Sequence, residues 1–353
     1  MMVRTCSGLL GLLMVTALIQ PATAQLPEPH EWTPHRPDAW NPMSVTEGRI
    51  LPRGAMQVGA RYLMTDMSGQ GFGTDSVTVG QVFNLFGFDV APSDQVIHSL
   101  ALDVLWGATD RITLSARGTF AQKTMDHLAV LEDQPNAFLF YQTEASGLQD
   151  IQVSALFDAL STGSMRFHLQ GGVSVPVGAI DSEDVTPLSD PAPAQLPYSQ
   201  QLGSGTFDLL PGFTFNMQNQ KASLGLQGTA VLRLGENDRG WTLGDRYEGH
   251  LWAGFKASDW VSVFLGTRYA SWGNVEGFDE DLDPNESPAH STLTQAGWRV
   301  DLPIGMNFVM PMGPFEGHRL GFEFLLPIHQ DLDGPQLRHD WSLAAGWSMD
   351  LAF

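Results

Sequence analysis

From about residue 55 onward, apolar and polar positions alternate with the period of two that puts successive side chains on opposite faces of a strand. Met56, Val58, Ala60, Tyr62 and Met64 share one face, against Gln57, Gly59, Arg61 and Leu63. Leu100, Leu102, Val104 and Trp106 oppose Ser99, Ala101, Asp103 and Leu105. After the turn cluster at 107–111, Ile112, Leu114, Ala116, Gly118 and Phe120 oppose Thr113, Ser115, Arg117 and Thr119. The pattern returns near 151–157, 167–177, 207–215, 224–232, 247–255, 261–269, 296–308 and 320–328. It closes at 340–353, where Trp341, Leu343, Ala345, Trp347, Met349, Leu351 and Phe353 face away from Asp340, Ser342, Ala344, Gly346, Ser348, Asp350 and Ala352.

These segments predict an all-β fold: a transmembrane antiparallel up-and-down β-barrel of about 12 strands over 55–353. An even strand number suits a single-chain bacterial barrel. The predicted connections alternate in length: long near 65–95, 124–147, 178–204, 234–244, 272–294 and 329–339, short near 107–111, 158–164, 216–221, 257–260 and 310–317. Long extracellular loops and short periplasmic turns have this alternation, which puts both termini in the periplasm. A soluble β-sandwich also alternates, but it does not require the loop rhythm or aromatics near strand ends, where an interfacial girdle would sit.

Charge placement follows the same register. Arg61, Asp103, Arg117, Arg166, Asp208, Arg233, Glu248, Lys256, Arg268, Arg299, Asp301, Glu323 and Asp350 fall on the polar face, as does His168. These are the candidate lumen-lining residues, since an Arg facing lipid at the midplane costs about 2–4 kcal/mol. The whole chain carries a formal charge of −21, so the acidic excess is expected in the loops. Such a balance, with no basic run, excludes nucleic acid as a partner.

The start of the chain reads as an address. Arg4, the apolar run 8–19 and Ala22-Thr23-Ala24 make 1–24 a secretory signal peptide. It carries Cys6, the single cysteine, so no disulfide or thiolate site is expected afterwards. Residues 25–54, with Pro27, Pro34, Pro37, Pro42 and Pro52, predict an irregular periplasmic lead.

Several phrases resemble a family of outer-membrane proteins named for the MetA-pathway of phenol degradation, also called simply "transporter". The most specific runs from Leu196-Pro197-Tyr198-Ser199-Gln200-Gln201-Leu202 through Gly203-Ser204-Gly205-Thr206-Phe207-Asp208-Leu209. Others are Gly147–Ile151, Ser174–Asp181, Leu243–Glu248 and Pro327–Gln336. The resemblance implies a barrel and, through the family name, aromatic compounds. It brings no catalytic or binding residues.

Other constellations are weaker. The loop 276–286 holds six carboxylates in eleven residues, but lacks the glycine and ligand order of an EF-hand. A solvated acidic loop is the simpler reading, with divalent bridging to lipopolysaccharide as a middle case. His30 and His35 flank Trp32 without a third ligand, so no metal or cofactor is expected. His168, His250, Ser174 and Asp208 invite a lipid hydrolase, but no G-x-S-x-G elbow is present and the outward faces are almost free of polar groups. The expected function is non-enzymatic: passage of a small, aromatic or otherwise hydrophobic solute across the bacterial outer membrane. The alternative is a non-conducting structural or ligand-binding barrel. Expected partners are outer-membrane lipids, lipopolysaccharide and the barrel-assembly machinery, reached through the strand ending at Phe353.

Overall fold

The computed structural model of the protein describes residues 30–131 and 134–351. The predicted signal peptide, Cys6 and Phe353 lie outside these. The wall is built from β1 (Met56–Gly73), β2 (Val90–Thr109), β3 (Ile112–Leu131), β4 (Gln134–Leu148), β5 (Ile151–Ser161), β6 (Met165–Val175) and β7 (Phe207–Leu209). It continues through β8 (Gly212–Gln218), β9 (Ala222–Leu234), β10 (Arg246–Lys256), β11 (Val261–Trp272), β12 (Gly297–Val309) and β13 (Arg319–Leu351). Every pairing between neighbours is antiparallel, and β13 pairs with β1 to close the ring.

Parity explains the 33-residue β13. Its first part pairs with β12 from Arg319 to Leu332, and its second pairs with β1 from Leu332 to Leu351. Both pairings are antiparallel, so β13 must reverse direction between them. Gln330 and His339 meet across the bend, each hydrogen-bonded through the Gln330 side chain to the His339 backbone. Counting β4 with β5 and β7 with β8 as single interrupted passes, and β13 as two, the wall has twelve passes.

Lipid-facing and lumen-facing side chains segregate as the alternation requires. Leu100, Leu102, Val104 and Trp106 are exposed on the outside, as are Phe213, Leu224, Leu226, Leu251, Phe255, Leu265, Phe322 and Phe324. Ser115, His168, Thr214, Gln227, His250, Ser262, Asp301, Asn307 and Glu323 are buried inside. A closed barrel leaves no unpaired edge, so its backbone polar groups are satisfied within lipid.

Of the predicted long loops, 65–95 is strand at both ends, and 124–147 and 329–339 are strand through most of their described length. β1 and β2 stay paired out to Ser68 and Asp94, and β3 and β4 stay paired past Asp126 and Gln142. These extensions rise beyond the apolar belt. Their outer faces carry polar pairs such as Gln122 with Glu144 and Gln142 with Asp126, so apolar alternation stops while the ladder continues. A register shift near Asp66 and Met67 also leaves Asp340 exposed and bonded to Ser68, with His339 buried on the inner side. Asp340 therefore does not share the lumen with Asp350.

The lead is folded into the barrel from the end bearing the short turns. The Trp32 amide donates to the Gly163 carbonyl at 2.6 Å, and the Gly54 amide to Gly107 at 2.7 Å, so both ends of the lead sit at the same mouth. Between them Trp40, Met43, Val45 and Leu51 are buried. The wall binds the backbone of this irregular segment. Asn307 donates to Trp40, Gln227 to Thr46 and Asn216 to Gly48, at 3.1, 2.7 and 3.1 Å. Inward amide side chains thus satisfy carbonyls that have no ladder partner.

Candidate functional site: a chamber above the lead

Glu47 anchors the lead. Its φ of 54° lies in the left-handed region, uncommon outside glycine. Its carboxylate accepts from Ser115 at 3.0 Å and from Gln170, and its carbonyl oxygen lies 2.9 Å from His168 Nε2. Glu323 accepts from the Ser44 amide at 2.8 Å and the Ser44 hydroxyl at 2.6 Å. Arg49 bonds Asp350 at 3.2 Å and stacks on Trp40, whose ring also faces Arg319. His168 and Glu323 therefore hold the lead, and His168 is taken up by a backbone carbonyl rather than by Ser174.

Above the lead lies a chamber of ≈ 610 Å³, joined by shared lining residues to a side bay of ≈ 420 Å³. Arg61, Lys123, Arg233, Arg246, Arg268 and Arg299 line it, and no carboxylate is among its lining residues. The acids pair with these cations from outside the chamber, Asp208 and Glu248 from the adjoining bay. Asp103 takes Arg117 Nε at 2.5 Å and Arg61 at 3.6 Å, while Asp208 takes Arg233 at 2.5 Å. Arg268 bridges Glu248 at 2.9 Å and Asp301 at 3.0 Å. Arg246 reaches Glu248, and Arg299 reaches Asp301, each through Nε at 2.7 Å. Lys123 donates to the carbonyls of Ser199 and Gln201. Arg166 is remote: it bonds the carbonyls of Thr162 and Met165 at the short-turn mouth, beside Trp32. Lys256 pairs with Asp259 at a turn.

Arg246 and Lys123 were not among the sequence candidates. Arg246 sits at the start of a strand beside a predicted loop, and Lys123 just past the predicted strand end at Phe120, next to the loop predicted at 124–147. Apolar side chains share the lining, with Leu63, Ile97, Leu325, Leu332 and Leu337 facing the same space.

The roof is the segment between β6 and β7, and the phrase 196–209 builds it. Leu196 and Leu202 pack with Ala121 and Ala145, and Tyr198 packs edge-on against the fully buried Trp241. Gly203 meets Gly178 backbone to backbone; a Cβ on Gly203 would lie 2.3 Å from the Gly178 oxygen. Gly205 has a φ of +70°. Asp150 accepts from the amides of Gly178 and Ser204, at 2.9 and 2.8 Å, and from the Ser204 hydroxyl at 2.8 Å. Thr206 donates to Asp208 at 2.7 Å.

A Ser–His pair does occur: His339 Nε2 is 2.7 Å from Ser342 Oγ, which also meets Thr65 at 3.0 Å. Asp301 stands 3.9 Å from His339 Nδ1, beyond hydrogen-bond reach, so the three do not form a connected triad. In the acidic loop, Asp279 and Asp281 both bond Arg239 and so do not converge on an open space. His30 bonds Gln218. Among the described residues no group of three or more His, Cys, Asp or Glu is placed to hold a metal.

No family model and no curated protein matches the sequence. Solved structures do match. The COG4313 outer membrane channel from Pseudomonas putida F1 is 12% identical, with 87% of this chain and 99% of that one covered and a TM-score of 0.57. A Pseudomonas aeruginosa FadL homologue is 9% identical over 90% of this chain and 93% of that one, with a TM-score of 0.41. The Ralstonia pickettii toluene transporter TbuX is 8% identical over 91% and 99%, also at 0.41. The first shows a shared fold; the other two are too distant to argue from. With its lipid-facing belt and polar interior, this chain is an antiparallel β-barrel of the bacterial outer membrane.

Proposed function

We propose that the protein is an outer-membrane channel for a small, hydrophobic or aromatic solute, held closed at rest by its own lead. The observation that carries this reading is the chamber of ≈ 610 Å³ against residues 43–46 of the lead. That volume is in the range of small-molecule sites. The P. putida barrel that shares this fold is named a channel, and the phrases resembling the MetA-pathway family point to aromatic compounds. Arg61, Asp103, Arg117, Asp208, Arg233, Glu248, Arg268, Arg299 and Asp301 line or back the solute's path, while the lead closes its periplasmic half.

A second reading is a barrel that binds but does not conduct, favoured by the hydrogen bonds that seat Ser44 and Glu47. Planar-bilayer recording separates the two. The mature chain should show brief, small openings, and a variant lacking residues 30–52 should show larger and longer ones. Silence of both proteins, with β-sheet intact by circular dichroism, overturns the channel.

A further inference from the structure

The chamber lining is chemically mixed. Leu63, Ile97, Leu325 and Leu332 give it apolar surface. Among them stand guanidinium groups whose pairing is incomplete. Arg246 and Arg299 each meet a carboxylate through Nε, and among the described residues no hydrogen bond engages their terminal Nη groups. The ladder places these two side chains on either side of β11. Arg246 is paired with Trp272 and Arg299 with Ala270, neighbouring inward positions on that strand. The Arg246 guanidinium lies 5.7 Å from the Trp272 ring centre. Their partners Glu248 and Asp301 do not line the chamber itself; Glu248 lines the adjoining bay.

An unfilled guanidinium fork favours a planar oxyanion, which it can bind with two parallel hydrogen bonds. Apolar side chains lining the same cavity favour a hydrocarbon body. From these two features together we infer that the chamber is a binding site for a monoanionic amphiphile, a carboxylate carried on a compact alkyl or aryl body. The carboxylate seats between Arg246 and Arg299, and the body lies along Leu63, Ile97, Leu325 and Leu332. This inference rests on the channel reading above, since it names the chemical class of the solute, and it reverses the preference for cations that the acidic outer loops alone would suggest.

The test is equilibrium binding to the full mature chain in an uncharged detergent at neutral pH, with three probes of one shape. These are para-pentylbenzoate, the neutral para-pentylbenzyl alcohol and the cationic para-pentylbenzylamine. The benzoate should bind at least about tenfold more tightly than the alcohol, and the amine more weakly than either. In the R246Q/R299Q variant the benzoate should lose at least about tenfold while the alcohol is unchanged. R299K, which keeps the charge and loses the fork, should fall between. Equal binding of the three probes by the unsubstituted protein overturns the inference without depending on any variant. So does a preference for the alcohol, or an unchanged benzoate affinity in a variant that keeps its heat-modifiable mobility. Liposome swelling separates this from the channel reading. Solute passage with no charge preference in binding leaves the channel standing and removes the inference, whereas selective benzoate binding without passage does the reverse.

Discussion

Burial pushes the Asp279 carboxyl upward, but the Arg239 guanidinium, the Asp281 amide and the Trp241 indole outweigh it and hold its pKa below the usual carboxylate range. Arg239 reaches Asp279 with Nε at 2.6 Å and Nη2 at 2.8 Å, and the Trp241 Nε1 distance is 3.2 Å. A carboxyl whose folded pKa is depressed contributes stability above its unfolded pKa and loses it as pH falls through the folded value. The cluster of Asp279 with Arg239 and Trp241 is therefore expected to be firm at neutral pH and to loosen in acid, as pH falls through the depressed folded pKa. Asp279→Ala should cost the loop cluster about 2–3 kcal/mol at neutral pH. Faster amide exchange at Trp241 and Thr242, with wall strands unaffected, is the measurement; unchanged exchange rejects it. None of this was legible in 276–286 taken alone. The string of acids announces solvation, and the arginine that pairs two of them belongs to the preceding long loop.

At the scale of elements, the sequence was clearest where lipid touches one face. Leu100, Leu102, Val104 and Trp106 had to alternate with small or polar residues, because the belt is apolar and the lumen is not. Beyond the belt that constraint vanishes, and so the outer part of β3 and nearly all of β4 fall in the loop predicted at 124–147 although their ladder is continuous. The lead hid for another reason. Its prolines correctly mark irregular backbone, but burial there comes from amide side chains of distant strands, which no local pattern encodes. Trp40, Met43, Val45 and Leu51 were the available hint, as apolar side chains in a segment with nothing of its own to pack against. The phrase 196–209 is explained by the roof it forms. Gly203→Ala would drive a Cβ into the Gly178 carbonyl, where only backbone can give way. That variant should keep its wall and lose its roof: cleavage within 176–206 by added protease should rise several-fold while the barrel fragment stays resistant. Equal resistance of the roof in both proteins would show that the contact is not needed.

On the scale of the whole molecule, the twelve passes close because β13 doubles back and both its arms find partners. The exterior then faces lipid everywhere at mid-height. Leu102, 59% exposed and flanked by Ala60 and Gly118, is at the middle of this belt. Leu102→Arg should destabilise folding into phospholipid vesicles by about 2–4 kcal/mol. Leu102→Phe should leave urea-dependent folding nearly unchanged, and a loss of similar size in both would place that face away from lipid. Charge is divided the same way: the chain carries −21 overall, yet the chamber is walled by cations. The lead adds something that neither wall nor charge requires. Because it enters beside Gly163 and leaves beside Gly107, it is a loop pushed in from one mouth and not a thread drawn through. Such a stopper can be withdrawn and reseated in a sealed barrel, with no wall strand broken and no end of the chain passed across the membrane.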